Sequence, residues 1–449
     1  MLKQKIQLSD HFNYSRLLRF VLPCVGTMLF TSIYGIVDGL CVSNFVGKTA
    51  FAAVNLIMPV PMLVGSVGFM LGTGGSAIVG ITLGEGDREK ADRYFSLFVW
   101  TALLAGIVLA AVGVLIVRPA AAALGAEGEM LDYAVRYGRL LMASLPTFIL
   151  QNLFQSFFVT AEKPHLGFAF TVAAGGTNMV LDVLLVGMLH GGVEGAAIAT
   201  FISQAVGGVL PLLYFLSRRS TSSIHLGRTQ WNGGVIRSAC INGSSELMTN
   251  LSMSLVNILY NYQLLRFAGE NGVAAYGVIM YAAFLFVAVF VGYAVGSAPI
   301  VSYHYGARNH AELNNLYSKS LRLIGVVAVL MTALSMVLIP YVARIFVGYD
   351  AELLALTSHA FRVYALNFFL MGFNVYGSSF FTALGDGVTS ALISFLRTLL
   401  FQLLALILLP LVLGIEGVWL AVTVAEAGAL CVTVLMFVRK DKVFHYRKA

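Results

Sequence analysis

The stretch GKTAFAAVNLIM, residues 47–58, recurs 222 residues later as GENGVAAYGVIM, residues 269–280. The same offset places GVEG at 192–195 over GIEG at 414–417. Further matches keep this register over nearly half the chain, which indicates an internal duplication. The sequence therefore predicts two copies of one structural unit.

The composition shows which solvent surrounds the two copies. Of the 449 residues, 59% are hydrophobic and 11% are charged, and the mean hydropathy is +0.85. Soluble domains carry about 25% charged residues. The chain contains about twelve apolar segments, each of roughly the 20 residues that a helix needs to cross a bilayer. We predict an all-α polytopic membrane protein, with twelve transmembrane helices in two pseudo-symmetric six-helix lobes.

The repeat also predicts the domain organisation. Because six is an even number, both copies enter the membrane from the same side, and such parallel repeats place substrate at their interface. The expected parts are an amino-terminal lobe with a cation site at 1–216, a cytoplasmic linker at 217–237, a carboxy-terminal lobe at 238–438 and a basic cytoplasmic tail at 439–449.

The net charge of +7 is explained by topology rather than by nucleic acid. With the amino terminus in the cytoplasm, 20 of the 28 Lys and Arg residues fall on cytoplasmic loops and tails, as the positive-inside rule requires. The clusters Arg218–Arg219 and Arg439–Lys440–Lys442 are thus expected to contact lipid headgroups. The sequence predicts a multi-pass protein of a bacterial cell membrane, inner or plasma, with both termini cytoplasmic.

Residues that differ between the two copies are candidates for the functional site. Asp38 lies deep in the first apolar segment and Asp182 in the fifth, and their counterparts in the second copy are Tyr260 and Leu404. Asn178 lies one helical turn before Asp182 on the same face. A carboxylate inside the membrane costs several kcal/mol unless it is paired, protonated or bound to a cation.

We therefore predict that Asp38 and Asp182 bind one H⁺ or Na⁺. Two close carboxylates readily share a proton, and they can also hold a hard cation together with oxygens such as those of Asn178 and Thr200. The alternative is that each aspartate is a packing residue bonded to backbone or hydroxyl groups. No other metal is expected.

These residues resemble the multidrug and toxic compound extrusion (MATE) antiporters, over nearly the whole chain. The resemblance rests on the Leu22-Pro23 pair, the VDG around Asp38, Asn178-x-x-x-Asp182 and Thr200. It implies a secondary active exporter of organic, often cationic, small molecules in exchange for H⁺ or Na⁺, without a cofactor. In the prokaryotic DinF-like type it implies that Asp38, Asn178, Asp182 and Thr200 form the cation site. It also implies a kink at Pro23, either static or changing with ion load.

The second copy matches the family less completely. Another branch of the family places its ion at a glutamate of the seventh helix, so Glu246 is a second-lobe candidate, with a charge at a helix start as the alternative. Glu426 lies opposite Gln204 in the repeat, and a polar bond between helices is expected there. The expected substrate cavity contains polar and aromatic side chains, each with plain packing as its alternative: Tyr34, Gln151, Asn152, Phe154, Tyr281, Met371 and Asn374.

Enzyme motifs are absent from the sequence, including a Walker loop and a His-Glu-x-x-His zinc motif. We therefore expect no enzyme activity, with small-molecule substrates and membrane lipid as partners, no nucleic acid, and a functional monomer. A lipid-linked oligosaccharide flippase of the same wider superfamily is the alternative. Such proteins display basic residues in the cavity, whereas Arg397 is the one base deep within a predicted span. A receptor or scaffold is a third hypothesis, which the repeat and the paired carboxylates disfavour.

Overall fold

The computed structural model describes residues 6–46, 48–217 and 221–447, apart from the side chains at positions 40, 43, 44 and 48. Gly47 and the Arg218–Arg219 pair lie outside the described residues, so the interpretation of that pair stays a prediction. Every regular element of the described part is a helix, as predicted.

The first copy contains eight α-helices and one π-helical segment. They are α1 (Tyr14–Phe45), α2 (Lys48–Ile57), α3 (Pro59–Gly84), α4 (Arg88–Ala123), α5 (Gly128–Ala143), α6 (Leu145–Thr160), α7 (Pro164–Leu181), the π-helical segment Asp182–Met188 and α8 (Gly192–Leu216). The second copy follows the same plan. It contains α9 (Gly233–Asn242), α10 (Ser244–Gly306), α11 (His310–Val347), α12 (Ala351–Ala365), α13 (Phe368–Ala383), α14 (Gly387–Phe395), the π-helical segment Leu396–Leu400, α15 (Phe401–Leu413) and α16 (Ile415–Phe444).

Helix ends repeat at the offset predicted from the sequence. α3 ends at Gly84 and α10 at Gly306, and α4 begins at Arg88 and α11 at His310, in both cases 222 residues apart. Nine helical stretches of the described part, some of them made of two or three consecutive elements, are long and apolar enough to cross a membrane.

The count of twelve spans follows from three composite helices. α10 contains two spans, because Gly269 breaks it with φ 59° and ψ −148°, a conformation that glycine adopts without strain. The bent pair α12 and α13, at 46°, passes the same test when its two helices are taken together, and α5 and α6 occupy the corresponding place in the first copy. The fold is therefore the predicted one, with two six-helix lobes.

The two lobes meet backbone to backbone at the end of the bundle that carries the amino terminus. A Cβ added at Gly84 would lie 2.0 Å from the carbonyl oxygen of Tyr303, and one at Gly306 would lie 2.0 Å from that of Ile81. Since only glycine has no Cβ, these positions allow α3 and α10 to touch directly. We refer to this region as the closed end.

The segment before α1 contacts both lobes at the closed end. The backbone N–H of Leu8 donates to Glu162 Oε1 of the first lobe at 2.9 Å. The N–H of Phe12 donates to Glu312 Oε1 of the second lobe at 2.9 Å, and His11 Nδ1 lies 2.6 Å from Glu312 Oε2. Residues 6–13 thus bridge both lobes beside the glycine contacts.

Candidate ion and substrate sites

Asp38 and Asp182 face each other inside the first lobe. Asp182 is fully buried and opens the π-helical segment Asp182–Met188, while Asp38 is partly buried in α1. Their carboxyl groups lie close enough to interact electrostatically. π-helical turns occur often at functional sites, because the wider turn disturbs the regular hydrogen-bond ladder.

The polar atoms around this pair have no partners in the described part of the chain. They are both carboxylate oxygens of Asp182, Oδ1 of Asp38, Nδ2 of Asn178 and Oγ1 of Thr200. Buried polar atoms normally make hydrogen bonds, and leaving one unpaired costs about 1–3 kcal/mol. Carboxyl groups this close can share one proton, and together with amide and hydroxyl oxygens they are also the hard donors that suit Na⁺. The residues present therefore fit either ion.

Tyr137 of α5 belongs to the same cluster, although the sequence analysis did not select it. It is fully buried, its hydroxyl faces Thr200, and it lies close enough to both carboxyl groups to interact electrostatically. The hydroxyl is also 4.0 Å from the sulfur of Met58. A signal was available, because the repeat counterpart of Tyr137 is His359, a departure from symmetry like those of the two aspartates.

A large cavity lies mainly in the first lobe, with Asn250 of the second copy also in its wall, and we name it the N-lobe cavity. It holds about 960 Å³ of empty space, counted to its open mouth. Four predicted cavity residues line it: Tyr34, Gln151, Asn152 and Phe154. Tyr34 also lies near Asp38, so one side chain of α1 lines the cavity and lies close to the carboxyl pair.

The remaining predicted cavity residues do not share that cavity. Met371 lines a separate space of the second lobe, about 720 Å³ with its mouth, which we name the C-lobe cavity. Asn374 is buried and donates to Glu426 Oε2 at 2.7 Å, which confirms the polar bond expected of Glu426. Tyr281 is 40% exposed and stacks on Phe346, and it lines neither the N-lobe cavity nor the C-lobe cavity.

Glu246 lines a third space, of about 760 Å³ with its mouth, which we name the inter-lobe cavity. Both lobes contribute to it: Thr73 and Ser156 come from the first copy, and Ser378 and Arg397 from the second. Glu246 also lies close enough to Arg397 to interact with it electrostatically. The structure thus places Glu246 at a central cavity, away from the Asp38–Asp182 pair.

Pro23 lies close to the point where α1 passes from tight packing against α10 to looser packing. Near Pro23, α1 is clamped against α10, because a Cβ at Gly292 would lie 2.5 Å from Val25 Cα. Farther along, Gly35 and Gly39 have no neighbouring atoms within 4 Å of an added Cβ. Proline also removes one hydrogen bond of the helix ladder. The position suits a hinge between a clamped and a loosely packed part of α1.

Comparison with known proteins agrees with this architecture. The family model described as MatE matches residues 23–184 and 247–407, one stretch in each copy. The chain belongs to the MATE family. The multidrug export protein MepA of Staphylococcus haemolyticus is 22% identical over 426 residues, covering 95% of this chain and 93% of that protein. MepA of Staphylococcus aureus is 21% identical over 431 residues, covering 96% and 95%.

Solved structures show the same fold. A multidrug resistance MATE family transporter of the MOP superfamily, solved in an outward-facing conformation, superposes with a TM-score of 0.92. Its sequence is 24% identical, and the match covers 98% of this chain and 99% of that one. This MATE protein is therefore a multi-span membrane protein of a transporter family with bacterial relatives.

Proposed function

We propose that this MATE protein is a secondary active exporter, which releases organic and often cationic small molecules in exchange for H⁺ or Na⁺. The observation that carries the proposal is the Asp38–Asp182 pair, with its unpaired amide and hydroxyl neighbours, inside a bundle of membrane-spanning helices. The multidrug export activity in the names of its relatives supports the same proposal. The coupling ion binds at Asp38, Asp182, Asn178 and Thr200, and the substrate binds in the N-lobe cavity.

Helix α1 connects the two sites. It supplies Asp38 to the ion site and Met28, Thr31 and Tyr34 to the wall of the N-lobe cavity. Neutralising the two carboxyl groups removes the repulsion between them, so the free part of α1 moves toward Asp182 and changes the cavity wall. Because ion and substrate then favour different positions of α1, each weakens the binding of the other.

The closed end supports one direction of transport. With both termini in the cytoplasm, the glycine contacts between α3 and α10 close the cytoplasmic side, so the cavities face outward. Ion binding to this state releases the substrate outside. The lobes then reopen at the cytoplasmic end, where the ion leaves and new substrate enters.

The cavities disfavour a flippase for lipid-linked sugars. A pyrophosphate group needs several cationic partners, and Arg397 is the one Lys or Arg among the described residues that line the three cavities. Two carboxylates, Glu246 and Glu426, lie near this arginine and would repel a multiply charged anion.

Equilibrium binding of ethidium to the purified protein tests the proposed competition. Ethidium fluorescence anisotropy is measured while Na⁺ replaces choline at constant ionic strength, and separately while the pH is lowered. We expect the wild-type affinity to fall about tenfold with one of the two ions, which corresponds to a coupling free energy of about 1.4 kcal/mol.

Two variants test whether the competition between ion and ethidium arises at the Asp38–Asp182 pair. Asp38→Asn should bind ethidium with an affinity that no longer depends on the ion. Glu194→Gln is the matched control, because Glu194 is an exposed residue paired with Arg136 at 3.5 Å and should behave as wild type. An ion dependence that survives unchanged in Asp38→Asn would contradict the proposed site.

A further inference from the structure

The outer face of the second lobe carries an apolar groove that neither the ion site nor the substrate site uses. It holds about 690 Å³ of empty space, counted to its open mouth. Its walls come from α11, α13 and α16, and they include Leu321, Phe373, Leu430, Val434 and Val438. Val434 is 52% exposed and Val438 is 50% exposed, so the groove opens to the surroundings of the bundle, which in a membrane are lipid. We name it the outer groove.

The outer groove runs along α16 from the closed end into the membrane. α16 ends at Phe444, whose ring lies 5.5 Å from that of Tyr305, the residue before the glycine contact of Gly306. Val438 and Leu430 lie farther along α16, and the distance between them is about 12 Å at 1.5 Å per residue. One leaflet of the hydrocarbon core is about 15 Å thick. The groove therefore extends through most of the leaflet at the closed end.

The chain folds back after α16 and places a cation at the mouth of the outer groove. His445 reverses the direction with φ 51°, which is uncommon for a residue other than glycine. Tyr446 is then fully buried, and its hydroxyl donates to the carbonyl oxygen of Phe437 at 2.7 Å. The backbone N–H of Arg447 donates to Asp441 Oδ1 at 2.8 Å. Both bonds fix the turn, so Arg447 is held against the groove that it lines.

The guanidinium of Arg447 is available to a ligand. Arg447 is exposed, and its side chain makes no hydrogen bond or ion pair with any residue that the structure describes. Lys440 of the same basic tail differs, because its Nζ lies 2.7 Å from Asp386 Oδ2. Arg447 is also the one charged residue in the described wall of the outer groove. The groove is thus apolar along its depth and cationic at its mouth.

The first lobe fills the corresponding face with its own chain. Two residues of the outer groove have Val99 and Leu212 as their repeat counterparts. Both belong to one core cluster with Ile224 and Leu226, which follow α8. At the position that corresponds to Leu226, the second copy has a lysine, Lys448. The repeat therefore supplies no apolar side chain for this place in the second lobe, and the outer groove is open to another apolar occupant.

We propose that the outer groove binds an anionic phospholipid, with one acyl chain along α16 and the phosphate at Arg447. The guanidinium donates two parallel hydrogen bonds to phosphate oxygens, a geometry for which arginine is better suited than lysine. The acyl chain covers apolar side chains that the protein leaves open, and each methylene group that it buries adds to the affinity. A phospholipid has the same order of polarity as the groove, with its charge at the interface and its apolar part in the membrane.

A negative headgroup is favoured over a zwitterionic one. The tail carries Arg439 and Lys442 beside Arg447, against the single carboxylate of Asp441. Basic residues at the membrane surface attract anionic lipids. The choline group of phosphatidylcholine would bring a further positive charge to this region, whereas the glycerol group of phosphatidylglycerol would not.

Native mass spectrometry of the purified, delipidated protein tests the proposal. The protein is titrated in detergent with dioleoylphosphatidylglycerol and, separately, with dioleoylphosphatidylcholine, and the affinity of the first bound lipid is taken from the peak areas. We expect wild type to bind phosphatidylglycerol about fivefold more tightly, which corresponds to about 1 kcal/mol for one basic residue near the surface. Arg447→Gln should remove this preference. Lys442→Gln, at an exposed lysine of the same tail that does not line the groove, should change it less than twofold.

A second pair of variants tests the acyl chain. Val434→Trp fills the outer groove and should weaken the first binding of both lipids about tenfold, since displacing two methylene groups already costs that much. Val326→Trp is the matched control, because Val326 is 58% exposed on α11 and does not line the groove. All four substitutions are at partly or fully solvent- or lipid-exposed positions, and a melting temperature measured for each variant verifies that it is folded.

Three results would overturn the proposal. One is a preference for phosphatidylglycerol that stays unchanged in Arg447→Gln, and another is equal lipid affinity in Val434→Trp and Val326→Trp. The third is a dimer peak that Val434→Trp abolishes while lipid binding stays at the wild-type level. That result would show that a second copy of the chain, and not a lipid, occupies the outer groove.

Discussion

Replacing Gly306 with alanine should open the closed end of the protein. The added Cβ would lie 2.0 Å from the carbonyl oxygen of Ile81 and 2.7 Å from its carbonyl carbon. Both are backbone atoms of α3, so no side-chain rotation relieves the contact, and the two helices must move apart. The clash exists only while the lobes touch at this end.

The size of the effect follows from the cost of overpacking. Extra methyl groups in close-packed interfaces cost about 1–3 kcal/mol, which is a factor of roughly 5 to 150 in an equilibrium constant. A protein that favours the closed end tenfold would then lie between about twofold closed and about fifteenfold open. The same change at Gly277 is the matched control. It lies in the same helix, and an added Cβ there meets nothing within 4 Å.

Spin labels at repeat-related positions measure the opening. Residues 89 and 311, at the starts of α4 and α11, are both exposed and lie at the closed end. Labelled cysteines at these positions, with the four native cysteines replaced by serine, report the distance between the lobes by pulsed electron resonance. We expect a longer-distance population in Gly306→Ala and the wild-type distribution in Gly277→Ala.

Identical distance distributions in Gly306→Ala, Gly277→Ala and wild type would refute this reasoning. They would mean that α3 and α10 accommodate the methyl group without separating the lobes. A thermal unfolding measurement in the same detergent accompanies the distances, so that a misfolded variant is recognised as such.

Two further changes test the interiors of the lobes. Tyr137→Phe keeps the ring but removes the hydroxyl that faces Thr200, so the ion dependence of ethidium binding should weaken about fivefold, close to 1 kcal/mol. Tyr133→Phe, on a partly buried tyrosine of the same helix whose hydroxyl donates to Glu129 Oε1, should leave it unchanged, and equal effects of the two variants would count against a role for Tyr137. Asn374→Ala removes the hydrogen bond to buried Glu426 and should destabilise the protein by about 1–3 kcal/mol. A melting temperature equal to that of wild type would contradict that role.

The fold could be predicted from the sequence because it follows from two patterns that each extend over many residues. Apolar segments of membrane-spanning length predict helices that cross the bilayer. The repeat at 222 residues predicts the two lobes, and the matching ends of α3 and α10 confirm that repeat. Spans that are split in the structure, such as α12 and α13, are harder to recognise as one unit. Their bend of 46° depends on packing rather than on hydropathy.

The candidate site was only partly predictable. Asp38, Asn178 and Asp182 stand out because polar groups are costly in lipid, and the structure brings them together. Tyr137 was missed, since a tyrosine in an apolar segment looks like any packing residue until its neighbours are known. Tyr281 was selected on residue type alone, and the structure places it against Phe346 instead. Which faces of helices meet is decided by packing between lobes, which one sequence does not show.

Efflux of ethidium from proteoliposomes tests the central claim most directly, with a Na⁺ gradient and a pH gradient imposed separately. The wild-type protein and Asp132→Asn, a change at an exposed aspartate, should export the dye with at least one gradient. Asp38→Asn and Asp182→Asn should export it with neither, while remaining folded. Gradient-driven efflux at the wild-type rate in both of these variants would contradict the assignment of the ion site.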